Sequence, residues 1–203
     1  MTVDDAAPVP EVPPRRQLTD AKEMRALAHP VRVALLELLV RDGPMTATEA
    51  GEILGESPAN TSFHLRTLAK FGFVEEAPGG TGRQRPWQRV ALGNSFEIDD
   101  DDPATAAAAK SLADHFATRQ LERRREWGLT RSSFAKEWRD AEIAYDTVTY
   151  LTPAELAALG AEIDAIISRY RIRLADPAAR PDGAGPVALA VSGFPLAPTP
   201  KGN

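Results

Sequence analysis

The chain has 203 residues, of which 43% are hydrophobic and 26% charged, a composition typical of a globular protein with one large domain or two small ones. It contains no cysteine, which excludes disulfides, thiolate metal sites and cysteine nucleophiles, and its net charge of −5 means that nucleic-acid binding would require a local basic patch. No apolar run is long enough to cross a bilayer and the first residues lack a secretory pattern, so we expect a cytoplasmic protein.

Changes in composition divide the chain into five predicted segments. Prolines and acidic residues predict a disordered tail over 1–17, and a second tail covers 196–203. Between the tails we predict a folded domain over 18–92, an acidic linker over 93–103 and a second domain over 104–195.

The first domain is predicted to begin with two short helices. Thr19 is placed to cap the first helix, and Pro30 lies in the first turn of the second, where a proline is well tolerated. Leucines recur at helical spacing after Pro30, so this helix should bury one face. His29 precedes the proline, and we interpret it as a hydrogen-bonded histidine of the helix junction rather than a ligand.

Two further helices follow, separated by a tight turn. Thr46 and Glu49, in the sequence TATE, have the spacing of a capping box and begin the third helix. Its residues Ala50, Ile53 and Leu54 are expected to face the core before a glycine ends the helix. The fourth helix begins with a serine cap and a proline, carries apolar residues at helical spacing, and also ends at a glycine.

Two strands are predicted after the fourth helix, over 73–77 and 87–92, joined by the basic and glycine-rich turn PGGTGRQRP. Two short helices joined by a tight turn and followed by such a hairpin form a winged helix-turn-helix. The second helix of this motif fits the major groove of DNA when the preceding helix braces it. The pattern therefore predicts DNA binding through the fourth helix and the hairpin loop.

The candidate DNA contacts are the outward side chains of the fourth helix, the polar helix caps and the polar residues of the loop. Asparagine can pair with adenine, arginine with guanine, serine and threonine with bases or phosphates, and alanine or phenylalanine can contact a thymine methyl. Five basic and two acidic residues lie in 57–89, which supplies the local positive patch. The candidates are Thr46, Ser57, Ala59, Asn60, Ser62, Phe63, His64, Arg66, Thr67, Lys70, Thr81, Arg83, Gln84 and Arg85.

Other roles were weighed for the histidines and for Ser62. The helical phase is compatible with two roles for His64, a packing role in the core and a DNA contact, and favours neither. Ser62 and His64 cannot form a hydrolase pair, because their spacing turns them in different directions and no nucleophile turn is present. His115 beside Asp114 is interpreted as an exposed or interface histidine rather than a zinc ligand. We therefore predict no metal, no cofactor and no enzyme activity.

The second domain is predicted to combine helices with a small sheet. An alanine-rich helix begins near Ala104, where the preceding acidic run would favour its N-terminus; a cation site is the alternative. Strands are predicted over 143–151 and 187–194, paired with each other, and a long helix begins at the capping box of the sequence TPAE. The apolar stripes of these helices are expected to pack on a second copy of the chain. A small organic effector is expected to bind between the sheet and the helices. The stripe residues are Leu112, Phe116, Leu121, Ile163, Ile167 and Tyr170.

Four motifs in order resemble the ArsR-type winged-helix repressors of bacteria: ALAHPVRVALLELL, TATEAGEILGES, SPANTSFHLRTLAKFGFVEE and RPWQRV. The resemblance spans about 18–92 and implies a homodimer that binds inverted-repeat operators and represses transcription. The region after Pro103, ending in LAVSGFP, resembles the C-terminal extension of actinobacterial members. Two departures are Gly51, where alanine is usual, and the missing cysteine pair of the metal-sensing members, so a thiolate metal response is not expected.

These observations predict a mainly α protein with small β elements (α+β), a winged helix-turn-helix followed by a helical and β dimerisation region. The predicted function is a sequence-specific transcriptional regulator, a repressor that binds an inverted-repeat operator as a homodimer and is nucleoid-associated when DNA-bound. The first alternative is a winged-helix module that binds protein without sequence-specific DNA binding. The second alternative is an enzyme that uses the C-terminal half. Its only polar candidates are Tyr145, Asp146 and Tyr150, and it lacks a base and a phosphate loop.

Overall fold

The structure is a computed structural model that describes residues 16–79, 85–91, 93–96 and 101–197. It is mainly helical with two small sheets, an α+β winged helix-turn-helix followed by a helical region. The strands are β1 (Arg16–Leu18), β2 (Val74–Glu76), β3 (Trp87–Arg89) and β4 (Asn94–Phe96). The α-helices are α1 (Ala21–Leu27), α2 (Pro30–Arg41), α3 (Ala47–Leu54), α4 (Pro58–Lys70), α5 (Pro103–Thr130), α6 (Lys136–Asp140), α7 (Pro153–Ser168) and α8 (Ile172–Ala175). Short 3-10 turns occupy Arg131–Ser133 and Pro177–Ala179.

Local capping chemistry sets most of the helix ends, as predicted. The backbone N–H of Val31 donates to His29 Nδ1 at 3.2 Å, which makes this histidine the N-cap of α2. Thr46 and Glu49 form the capping box of α3, and Ser57 caps α4. The first helix is an exception, because Asp20 rather than Thr19 caps it; its carboxylate accepts from the Lys22 N–H. An aspartate is the stronger cap and replaces the predicted threonine by a shift of one residue.

One hydrophobic core lies between α1, α2, α4, β2 and the first half of α5. Fully buried members come from every one of these elements, including Leu27, Leu35, Leu65, Val74 and Leu112. Because Leu112 has no exposed surface in its own chain, its predicted place on a dimer face is wrong. Phe116 is half-buried and packs against the same core. The first half of α5 therefore completes the core of the winged helix-turn-helix unit.

The predicted hairpin is confirmed, whereas the second sheet lies where none was predicted. Strands β2 and β3 are antiparallel with Val74 opposite Arg89, and Met45 bridges to Trp87. Strand β1 pairs in parallel with β4, so part of the predicted tail and part of the predicted linker form ordered backbone. Arg16 explains this anchoring: its Nη1 donates to the Phe71 carbonyl at 2.7 Å. Its guanidinium also lies 4.7 Å from the centre of the buried Phe73 ring.

Helix α5 is 28 residues long and is capped by Asp102, whose carboxylate accepts from the Ala104 N–H. This confirms the predicted helix start and shows what one residue of the acidic run does. Further along the helix, Arg119 and Arg123 both pair with Glu37 of α2, at 3.0 and 2.5 Å. The two ion pairs connect the middle of α5 to α2 of the winged helix-turn-helix unit.

The described chain after α5 consists of helices and irregular segments whose side chains are mostly exposed. The predicted strands over 143–151 and 187–194 are absent, and both segments are exposed irregular backbone, with Tyr150 100% exposed. A two-stranded ribbon is marginal unless an apolar face covers it, and neither segment has such cover. The capping box of α7 at Thr152 and Glu155 is confirmed. No described residue beyond Leu112 is buried, and no helix in the described part of the chain is long and apolar enough to cross a membrane.

Candidate nucleic-acid interface

Helices α3 and α4 form the helix-turn-helix, joined by a turn over 55–57. Gly55 ends α3 in the left-handed conformation, with φ of 70°. Gly51 faces α4 and is buried: a Cβ at this position would lie 2.8 Å from the Glu56 carbonyl oxygen and 3.0 Å from Thr61 Oγ1. Ile53, predicted to face the core, is instead 53% exposed. The close approach of the two helices therefore depends on the glycine, and Ile53, two positions further on, lies on the opposite side of α3.

One face of α4 is exposed and has the chemistry expected of a DNA-reading surface. Ala59, Phe63, Arg66 and Lys70 are all exposed, and Phe63 keeps 57% of its surface accessible. Among the described residues, neither Arg66 nor Lys70 forms an ion pair. Two cations without an ion pair and an apolar ring thus project from one face of the helix; the Lys70 ammonium lies 5.9 Å from the centre of the Phe71 ring. We call these four residues the exposed face of α4.

Three other predicted contacts lie at the margins of this face and are half-buried. Ser62 carries no partner in the described structure, whereas the Thr67 hydroxyl donates to the Phe63 carbonyl at 2.9 Å. The Asn60 amide donates to Glu56 Oε2 at 2.6 Å. Because a carboxylate can only accept, the Asn60 NH₂ group faces Glu56 with one of its two N–H donors, and the second N–H and the amide oxygen remain for pairing with adenine.

His64 is not available as a DNA contact in this structure. It is 5% exposed and lies against His29, with ring centres 4.5 Å apart. Desolvation lowers its pKa, because burial disfavours the charged form of the ring. The helical phase left both roles open for this residue, and the structure places it in the core.

The two predicted cap contacts are engaged in capping. Thr46 Oγ1 accepts from the Glu49 N–H at 3.3 Å and donates to the Glu49 carboxylate at 2.8 Å. Ser57 Oγ accepts from the Asn60 N–H at 3.2 Å. Both lie next to helix N-termini, where backbone N–H groups favour a phosphate.

The hairpin loop is described only in part, since the predicted contacts Thr81, Arg83 and Gln84 lie outside the described residues. Arg85 is exposed and pairs with Glu76 at 2.6 Å. Arg89, counted in the predicted basic patch, is half-buried, and burial lowers its pKa to about 10. It therefore contributes little to a surface patch, and the described positive charge is concentrated on Arg66 and Lys70.

Sequence patterns did not single out Glu56 or Glu37, although both organise the surroundings of the site. Glu56 holds Asn60, and Glu37 joins α2 to α5 through two arginines. An isolated glutamate on a helix face, like Glu37, or in a turn, like Glu56, is typical of a solvated position, so no sequence signal marked either one.

The predicted effector site between two strands and the helices is not formed, because those strands are absent. A cleft of about 430 Å³ lies elsewhere, between α2 and α5, with Val31, Leu54, Glu56 and His115 in its lining. In the described part of the chain, no group of three or more His, Asp or Glu side chains is arranged to hold a metal ion.

Residues 27–77, from the end of α1 to the hairpin, match a family described as a helix-turn-helix domain. No curated protein matches the chain. Among solved structures the chain is similar to a MarR family regulator from Neisseria meningitidis, at 16% identity over 74% of this chain and 78% of that one, with a TM-score of 0.29. A transcriptional regulator from Thermotoga maritima gives 11% identity, coverage of 73% and 87%, and a TM-score of 0.28. ZitR from Lactococcus lactis gives 16% identity, coverage of 81% and 86%, and a TM-score of 0.29.

The family match supports a DNA-binding transcriptional regulator as the class of this protein, since it covers both helices of the motif and the start of the wing. The solved structures are distant, and their scores add nothing on function. The matched family is a general helix-turn-helix family, so the narrower resemblance to ArsR-type repressors stays a prediction.

Proposed function

We propose that the chain is a sequence-specific transcriptional repressor that binds an inverted-repeat operator as a homodimer in the cytoplasm. The observation that carries the proposal is the exposed face of α4, where Arg66 and Lys70 project from the second helix of a helix-turn-helix without an intramolecular ion pair. Free cations on that helix match the phosphates and guanine edges of a major groove. A catalytic step forms no part of the proposal.

The apolar surface of α7 supports the homodimer. Leu159, Ile166 and Tyr170 lie on one side of the α7–α8 segment and remain 43–53% exposed, while Ile163 and Ile167 are half-buried. A two-fold partner would cover this stripe with its own copy of the same residues. It would also hold two α4 helices about 34 Å apart, which is the spacing that successive major grooves require.

The test begins with the full chain and a duplex selected by it from a random-sequence pool. Arg66→Ala is expected to weaken binding to the selected duplex by about 1–3 kcal/mol if Arg66 reads a base. Lys70→Ala should weaken selected and random duplexes alike and reduce the slope of log affinity against log salt by about 0.9, the value for one lost phosphate contact. Fluorescence anisotropy across a salt series measures both effects.

Arg125→Ala is the matched control, because it removes one exposed arginine from α5 and changes the net charge by the same amount. Its affinity and salt slope should equal those of the unmodified chain. If Arg66→Ala and Arg125→Ala behave alike, the exposed face of α4 does not contact DNA. If the chain selects no duplex at all, the exposed Phe63 and Ile53 would favour the alternative of a protein-binding module.

A further inference from the structure

We propose that His29 and His64 form a pH-sensitive latch, which holds the DNA-contacting helix α4 against α2 at neutral pH and releases it on acidification. The proposal rests on the proposed function in one respect, since it assumes that α4 is the helix that binds DNA. These two residues are called here the histidine latch: His29 is the N-cap of α2, His64 lies within α4, and the centres of their rings are 4.5 Å apart.

His29 can hold its place only while its Nδ1 is unprotonated. This atom accepts the Val31 N–H at 3.2 Å and so serves as the N-cap of α2. Protonation would convert the acceptor into a donor that faces another donor, and would also put a positive charge at the positive end of the helix dipole. The cap and the proton are therefore mutually exclusive.

His64 is the α4 half of the latch and is equally intolerant of charge. It is 5% exposed, and its Nδ1 is buried without a hydrogen-bond partner among the described residues. A second imidazolium at this position would be desolvated and would face the first one across 4.5 Å. Acidification thus acts on both sides of the α2–α4 contact at once.

The charged groups around the latch add to this effect on balance. Burial is the largest cause that lowers the pKa of His29, followed by Arg32, His64 and His115. Burial and then Arg32 lower the pKa of His64. Glu56 is the one facing group that acts in the opposite direction on both rings, and its effect is the smallest. All three histidines of the chain thus lie close to one another where α2, α4 and α5 meet.

The sign of the pH dependence follows from these lowered pKa values. A histidine whose folded-state pKa is lowered stabilises the fold fully above its ordinary pKa of 6.5 and loses that contribution as the pH falls below it. The latch should therefore be closed at pH 7.5 and open progressively in the acidic range. Ordinary electrostatics predict the reverse, because added protons raise the affinity for phosphates.

The first experiment measures binding of the full chain to a duplex selected from a random-sequence pool at pH 7.5. Affinity is expected to fall severalfold between pH 7.5 and pH 5.5, because protonated histidines must lose their protons before α4 can bind. Affinity that is constant or rises on acidification would overturn the latch.

Two substitutions remove the proton sites while keeping the contacts. His29→Asn retains a capping acceptor that does not titrate, and His64→Phe retains an aromatic ring against residue 29. The double variant should bind the duplex as the unmodified chain does at pH 7.5 and lose the acid response. His115→Gln removes the third histidine, which lies outside the latch, and should keep the response. A response that disappears in His115→Gln but persists in the double variant would contradict the assignment.

A measurement without DNA separates the latch from the proposed function. Imidazole C–H resonances of the free full chain should show His29 and His64 titrating below 6.5, and the amide signals of α4 should change over the same pH range. Rings that titrate at 6.5, or α4 amides that stay unchanged, would refute the latch even if DNA binds. Failure to select any duplex at pH 7.5 would count against the proposed function alone.

Discussion

At the scale of single residues, the sequence predicted the helix caps, because their hydrogen bonds join residues within one helical turn. The caps of α3 and α7 depend on a threonine and a glutamate three residues later, and both are found as expected. The orientation of Ile53 was missed, because periodicity does not tell which side of α3 faces α4. Gly51 marks that side, since a Cβ there would meet the Glu56 carbonyl, and Ile53 lies two positions further on, on the opposite side of the helix.

Gly51→Ala should therefore destabilise the protein, although alanine is the better helix former by about 1 kcal/mol. The added Cβ would lie 2.8 Å from a backbone oxygen that cannot rotate away, and overpacking of this kind typically costs about 1–3 kcal/mol. Urea unfolding monitored by circular dichroism gives the free energy of unfolding.

Gly128→Ala is the control for this substitution. Gly128 is also helical, and an added Cβ there would meet nothing within 4 Å, so only the gain in helix propensity remains. This variant should be as stable as the parent chain or more so. Equal behaviour of the two alanine variants would show that α3 and α4 do not need the glycine.

At the scale of elements, helices were predictable and the C-terminal strands were not. Segment 143–151 has the β-branched and aromatic residues of a strand, but a strand also needs a hydrogen-bonding neighbour, and 187–194 does not supply it. The pairing of β1 with β4 was missed for the converse reason. Its ordering depends on Arg16, which reaches a carbonyl 55 positions away in the sequence.

The attachment of α5 to α2 is tested by Glu37→Gln. The substitution removes the carboxylate that pairs with Arg119 and Arg123, and because all three groups are partly exposed we expect a loss of roughly 1 kcal/mol in the free energy of unfolding. The loss should shrink at high salt. Asp140→Asn, which breaks an exposed pair with Lys136 within α6, is the control and should cost less than about 0.5 kcal/mol.

At the scale of the whole molecule, the apolar side chains are distributed unevenly. The buried ones end at Leu112, yet Leu159, Ile166 and Tyr170 follow on exposed helix surface. The sequence correctly indicated more apolar helix surface than the first domain covers. It wrongly counted Leu112 as part of that surface, because periodicity identifies an apolar helix face but not the element that packs on it. The first half of α5 is covered by its own chain.

Leu159→Asp combined with Ile166→Asp should convert a dimer into a monomer without unfolding it, since both side chains are already exposed in the single chain. Light scattering gives the mass. Affinity for an inverted-repeat duplex should fall with it, because the second half-site no longer binds as part of the same molecule. Ala161→Asp lies on the opposite side of α7 and should remain dimeric. If the double variant keeps the parental mass, the interface lies elsewhere.

Helix α5 belongs both to the core of the helix-turn-helix unit and to the C-terminal region, which limits where this chain can be cut and joined to another protein. The matched helix-turn-helix family ends at residue 77, but Ala108, Ala109 and Leu112 fill the same core from beyond that point. A chimera joined at residue 92 would carry the helix-turn-helix without the α5 residues that cover its core. Its exposed apolar surface should cause it to aggregate or fail to accumulate. A junction placed after Arg123 would carry both the core residues and the ion pairs to Glu37. The transferable unit of specificity in this chain is therefore longer than the motif that reads DNA, and it ends inside a helix.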